Sequence, residues 1–141
     1  MNVNVMSPHE AGQYPYLIDI VTKRYFDAVD NKQIERVLDC FHQDAVLTEV
    51  TSNTVHDGID AIASMFRRLF SDFEQLWHGN FVHTADVQAN AISSQFTVLI
   101  TPTGGTQLRY ENCNRFYLEG DKFSRVFVYM SGDNLLKEGR D

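Results

Sequence analysis

From Trp77 to about Met130 apolar residues alternate with polar ones, whereas before Trp77 they recur every three or four positions. A chain whose lasting change of period comes this late places its helices first and most of its sheet last. Four strands are predicted, over residues 80–88, 91–101, 106–118 and 122–130. Their joins are short: Ala89-Asn90, then Pro102-Thr103-Gly104-Gly105, then Glu119-Gly120-Asp121. Each is a hairpin signal. Sequential hairpins give an antiparallel meander, which curls under its own twist.

Three helices are predicted ahead of it. The first covers about 16–29, with Leu17, Ile20 or Val21, Arg24 or Tyr25, and Ala28 on one face and Pro15 at its first turn. Asp30 and Asn31 stop it and can cap a second helix over about 32–41, with Ile34, Val37, Leu38 and Phe41 inward. A strand over 45–50 and a loop over 51–56 follow. Asp57 and Gly58 open a third helix, with Ile59, Ile62, Phe66 and Leu69 as its buried stripe, running to about Phe73 or Leu76. Residues 1–15 carry no clear period and read as a flexible N-terminal arm, 16–135 as one domain, and 136–141 as a C-terminal tail. The layout is α+β. A curved sheet over a long helix leaves a hollow, where the site is expected.

At 141 residues, one domain can bury about two-thirds of its unfolded surface. A net charge of −7 opposes a nucleic-acid role, which needs clustered Lys and Arg. Cys40 and Cys113 fall in a helix and a strand and read as two reduced thiols, with no disulfide framework and no metal cluster. Residues 1–13 lack the basic and apolar regions of a signal peptide, and no apolar run reaches the roughly 20 residues of a membrane span. The expectation is a cytoplasmic chain that binds neither nucleic acid nor membrane.

Several side chains can carry chemistry. Tyr25 lies on an apolar helical stripe, so its hydroxyl needs a partner; a backbone carbonyl would satisfy it as well as a ligand. Glu49 shares a strand face with Leu47 and Thr51, opposite Val46, Thr48 and Val50. Facing in, desolvation would raise its pKa toward neutrality and make it a general base; facing out, it is a surface carboxylate. Tyr110, Asn112, Asn114 and Phe116 alternate to one strand face and suit a pocket wall. Arg109, Glu111, Cys113 and Arg115 take the other. His83 shares a face with Phe81, Ala85 and Val87 and can point inward, and Phe66 adds an aromatic wall. No histidine pair has metal-ligand spacing, and no phosphate loop or nucleophile elbow is present.

The segment KRYFDAVDNKQIERVLDCFHQDAVLTE resembles the opening of the nuclear transport factor 2-like superfamily, which includes SnoaL-like polyketide cyclases and ketosteroid isomerases. HDGIDAI is similar to the start of their third helix, and RFYLEGDKFSRVFVY to their final hairpin. The resemblance spans about Leu17 to Met130 and implies a cone-shaped, curved antiparallel sheet wrapped around helices, the cystatin-like barrel. The superfamily also holds hydratases, epoxide hydrolases and non-catalytic binders. Against ketosteroid isomerases, residues 25–49 align without a gap. Tyr25 then falls at the oxyanion-hole tyrosine, Glu49 at the catalytic aspartate base, and Asn114 at a protonated aspartic acid that donates to the same oxyanion. Glu for Asp moves the base by one methylene, and Asn is a weaker donor than a neutral acid, which departs from a true ketosteroid isomerase.

Two functions follow as expectations. One is a cofactor-independent enzyme of isomerase, cyclase or hydratase type on a small, mostly apolar carbonyl compound, with Glu49 as base and Tyr25 and Asn114 at the enolate oxygen. The other is a non-catalytic ligand-binding or dimeric assembly module, with Glu49 ionised. The resemblance implies a homodimer, formed through an outer aromatic row of Phe123, Phe127 and Tyr129; the same residues could instead face the helices, leaving Val126, Val128 and Met130 outside.

Overall fold

The computed structural model describes residues 8–136. Helical structure runs through α1 (Pro8–Asp19), a π-helical segment (Ile20–Phe26), α2 (Asp27–Asp30), α3 (Ile34–Leu38) and α4 (Ile59–Asp72). The strands are β1 (Phe41–Glu49), β2 (Thr54–Asp57), β3 (Phe73–Asp86), β4 (Ala91–Pro102), β5 (Leu108–Glu119) and β6 (Lys122–Tyr129). They form one curved, unclosed sheet in the order β2-β1-β6-β5-β4-β3. Neighbours are antiparallel except β1 and β6, which run parallel, so the expected all-antiparallel sheet is mixed. The cone-shaped α+β layout itself holds, with α4 and the π segment packed in the hollow.

The inner face of the sheet carries the core. Phe116, Phe123 and Val126 are fully buried, and Tyr25 packs edge-on against Phe116 and Phe123 at centroid distances of 5.6 and 5.2 Å. Each such side chain contributes about 1.5–3 kcal/mol by leaving water.

Four expectations change. Helix α1 begins at Pro8, within the region read as a flexible arm, and Pro15 stands inside it rather than at its first turn. Leu17 is buried, and the Tyr14 hydroxyl donates to the His83 carbonyl (3.1 Å), so tertiary contact fixes what local composition left open. Residues 1–7 of that arm and 137–141 of the tail lie outside the described residues. The second helix shrinks to α3, and β1 starts earlier, at Phe41. The loop after β1 contains β2, and the chain passes directly from α4 into β3 at Phe73. Lys32 Nζ makes that sharp exit possible by donating to the carbonyls of Phe70 (2.9 Å) and Phe73, partners a helix end otherwise lacks.

The aromatic row on β6 splits. Phe123 faces the core with Val126 and Val128, whereas Phe127 is half-buried and Tyr129 exposed on the outer side. Tyr117 pairs with Arg125 but Leu118 with Phe123, which leaves Ser124 as an extra residue. This bulge, where the Ser124 hydroxyl donates to the Tyr117 carbonyl (3.1 Å), reverses the alternation partway along the strand.

Candidate functional site

A cavity of about 60 Å³ lies between α4, the π segment and the inner face of the sheet. Its wall is mostly apolar, including Leu47, Met65, Phe66, Leu69 and Val128. Four polar side chains join them: Tyr25, His78, Asn112 and Asn114.

Tyr25 arrives by way of the π segment. Ile20, Val21, Tyr25 and Phe26 are its buried residues, two adjacent pairs five positions apart. The Asp27 N–H bonds to the Thr22 carbonyl five residues back, which matches that spacing. Burial, with the neighbouring Cys40 and Asp30 adding to it, pushes the Tyr25 hydroxyl far above its ordinary pKa. It therefore stays protonated and serves as a donor.

His78 faces the cavity because of a second bulge. Gly79 pairs with Thr97 and Val82 with Gln95, so Asn80 and Phe81 oppose the single residue Phe96, and Asn80 takes φ 54°. Strict alternation from Phe81 and His83 would have sent position 78 outward. The extra residue turns it in, where its ring stacks on Phe26 at 4.5 Å. His78 Nδ1 lies 2.5 Å from Asp30 Oδ1, and the His78 backbone N–H donates to Asp30 Oδ2 (2.9 Å). An ionised carboxylate only accepts, so Nδ1 is the donor of this pair, and the tautomer it selects carries the ring's lone pair on Nε2. Neither member of this pair was among the sequence candidates. In the sequence Asp30 reads as a helix stop, and nothing in the chain marks two residues on separate elements as partners.

Asn112 and Asn114 come from the inward face of β5, as alternation predicted. The Asn112 Oδ1 accepts from the Ser131 N–H (3.1 Å), which leaves its NH₂ as the end available to the cavity. Asn114 is 4% exposed and its Oδ1 has no hydrogen-bond partner among the described residues. A buried acceptor without a donor costs about 1–3 kcal/mol. Asn114→Leu is accordingly expected to raise stability by about 1 kcal/mol in urea unfolding while weakening ligand binding.

Glu49 is buried, on the same strand face as Leu47, but it does not line the cavity. Its carboxylate accepts from the Thr51 N–H and the Ser52 N–H, each at 2.9 Å, and from the Ser52 hydroxyl. Burial alone would raise its pKa. The hydrogen bonds outweigh burial and hold the carboxyl below its usual value of 4.5. The expected rise toward neutrality is therefore corrected: these three donors stabilise the ionised form.

Of the expected ligand contacts, Phe66 and Asn112 reach the cavity wall. Phe116 sits one layer behind, against Tyr25. Tyr110 lies beside Gly132 and lines a separate surface groove. His83 points inward but under α1, stacked on Phe81 with its Nδ1 2.8 Å from the buried Ser94 hydroxyl, and burial lowers its pKa.

The SnoaL-like domain model matches residues 22–126, most of the chain. The chain belongs to the SnoaL-like domain family. No curated protein matches this SnoaL-like chain in sequence. Its fold is similar to that of a candidate SnoaL-like polyketide cyclase from Shewanella putrefaciens, at 12% identity and a TM-score of 0.73 over 92% of each chain. A candidate polyketide cyclase from a Silicibacter species is 18% identical, with a TM-score of 0.71 over 89% of this chain and 96% of the other. An epoxide hydrolase of M. tuberculosis, described as LEH-like, is 18% identical, with a TM-score of 0.67 over 82% of each. At these identities the likeness is one of fold.

Proposed function

We propose that this SnoaL-like domain is a cofactor-independent acid–base enzyme acting on a small, mostly apolar carbonyl compound, with His78 rather than Glu49 as its base. The observation that carries the reading is the Asp30–His78 pair at the cavity wall. Asp30 fixes the tautomer and stabilises the imidazolium that forms. In the proposed step, His78 Nε2 removes a proton alpha to the carbonyl. The C–H electrons become the enolate π bond, and the carbonyl π electrons move to oxygen, which accepts hydrogen bonds from the Tyr25 hydroxyl and an Asn amide. The proton then returns from Nε2 to carbon or oxygen; isomerase, cyclase and hydratase outcomes share this first step.

Deuterium uptake at alpha carbons of cyclic ketones and enones in D₂O tests the proposal, with catalysed exchange as the expected result. Saturable binding with no exchange above the buffer rate would overturn it and leave the alternative, a non-catalytic ligand-binding or dimeric assembly module. One observation favours that second reading: the orphan Asn114 Oδ1 can hold a ligand donor without any chemistry.

The proposed homodimer uses the outer sheet face, where Trp77, Val82 and Tyr129 are exposed. Sedimentation should then report a dimer that Tyr129→Asp weakens, and a wild type that sediments as a monomer at high concentration would exclude it.

A further inference from the structure

The cavity of about 60 Å³ is well below the roughly 300–1,000 Å³ of ordinary ligand pockets. Either the ligand is very small or one wall moves. Most of the wall belongs to paired strands or to the buried face of α4, and displacing either would break a hydrogen-bonded ladder or expose core. Residues 131–136 pair with no strand, and moving them would uncover little of the core beyond Leu136 and the half-buried Leu135. They follow β6 outside any helix or strand and bring Leu136, 9% exposed, onto the cavity wall.

A small set of bonds holds this segment. At its start, the Ser131 N–H donates to Asn112 Oδ1 and the Ser131 hydroxyl accepts from the Glu111 N–H, each at 3.1 Å. Gly132 lies so close to the Tyr110 ring that a Cβ there would overlap it. At its far end, Asn134 Nδ2 donates to the Ser52 hydroxyl oxygen (2.9 Å) and to the Thr54 hydroxyl oxygen (3.2 Å), while Asn134 Oδ1 accepts from the Leu136 N–H (2.9 Å). Asn134 thus ties Leu136 to the β1–β2 turn. Releasing that one amide removes the polar tie of the Leu136 end, leaving it held by the apolar contacts of Leu135 and Leu136 with the core, and keeps the Ser131 anchor in place.

We propose that residues 131–136 form a strap that gates the cavity, latched by Asn134, and that Leu136 limits the size of the molecule admitted. This rests on the acid–base reading only for its choice of carbonyl probes. Two size-graded pairs separate the ideas: cyclohexanone and 2-decalone, which carry a carbonyl, and benzene and naphthalene, which do not. Binding and entry rates are measured by NMR on wild type, Leu136→Ala and Asn134→Ala.

In both pairs, Leu136→Ala is expected to raise affinity for the larger probe relative to the smaller by about tenfold, the scale on which apolar pockets discriminate size. Asn134→Ala is expected to speed entry of the larger probes by raising the open population. Equal affinity ratios and equal entry rates in all three proteins would overturn the gate, as would absence of binding by either pair. A size effect in both pairs with no preference for the ketones would retain the gate and count against the carbonyl reading.

Discussion

His78→Gln is expected to lower alpha-proton exchange by about 10²–10⁴-fold, the contribution of a positioned general base. The ring is held by Phe26, Phe96 and Asp30, and it is only 11% exposed, so the variant needs a circular dichroism check that it folds. Asp30→Asn supplies a second arm. Its amide can present an N–H to Nδ1, which favours the tautomer with the proton on Nε2 and leaves no lone pair for the substrate. A large fall in kcat with a small change in KM is the expected signature of that positioning role. Tyr25→Phe keeps the ring packing against Phe116 and Phe123 and removes only the donor. Exchange by His78→Gln within about twofold of wild type would remove His78 from the mechanism, since no base of the proposed strength is lost so cheaply.

Glu49→Gln is expected to do the reverse: to cost stability and spare chemistry. Three donors converge on the carboxylate, two of them backbone N–H groups that an amide can satisfy only in part. Hydrogen bonds to charged groups contribute about 1.5–3 kcal/mol each, so a loss of about 2–3 kcal/mol at neutral pH follows. The folded-state pKa is depressed, so the stabilisation is fully present above the unfolded value of about 4.5 and is lost as pH falls through the lower folded value. Urea unfolding of wild type and variant should therefore converge on acidification below that point and stay apart above it. Exchange activity should remain within about tenfold of wild type, well short of the His78 effect. A Glu49→Gln protein of unchanged stability and abolished exchange would return the base to Glu49 and refute the His78 assignment.

The periods in the sequence reached the architecture but not the Asp30–His78 pair, for physical reasons visible at particular residues. Alternation placed Asn112, Asn114 and Phe116 inside because β5 keeps its pleat over that stretch. It misplaced Phe123 and hid His78 because a bulge in β6 and another in β3 each invert the faces, and one extra residue leaves no mark in composition. The π segment did leave one: the stripe could be drawn through Ile20 or Val21 and through Arg24 or Tyr25. That ambiguity reflects a turn widened by one residue, which buries Val21 and Tyr25 together with Ile20 and Phe26. The turn donors around Glu49 were local and legible in principle, since Ser and Thr two or three residues on can bond a carboxylate. The Asp30–His78 pair was not, because only the closed fold brings α2 against β3.

The parallel pairing of β1 with β6 also governs the order in which the molecule can assemble. Hairpins β3–β4, β4–β5 and β5–β6 form between neighbours in sequence, but β1 waits for a strand near the far end of the chain. Its closure carries the loop-entropy cost of the long stretch between β1 and β6 and belongs late in folding. During synthesis, Val46 and Leu47 therefore stay without their β6 partners until the last strand has left the ribosome, and the aromatic contact that joins Phe41 to Phe123 forms only then.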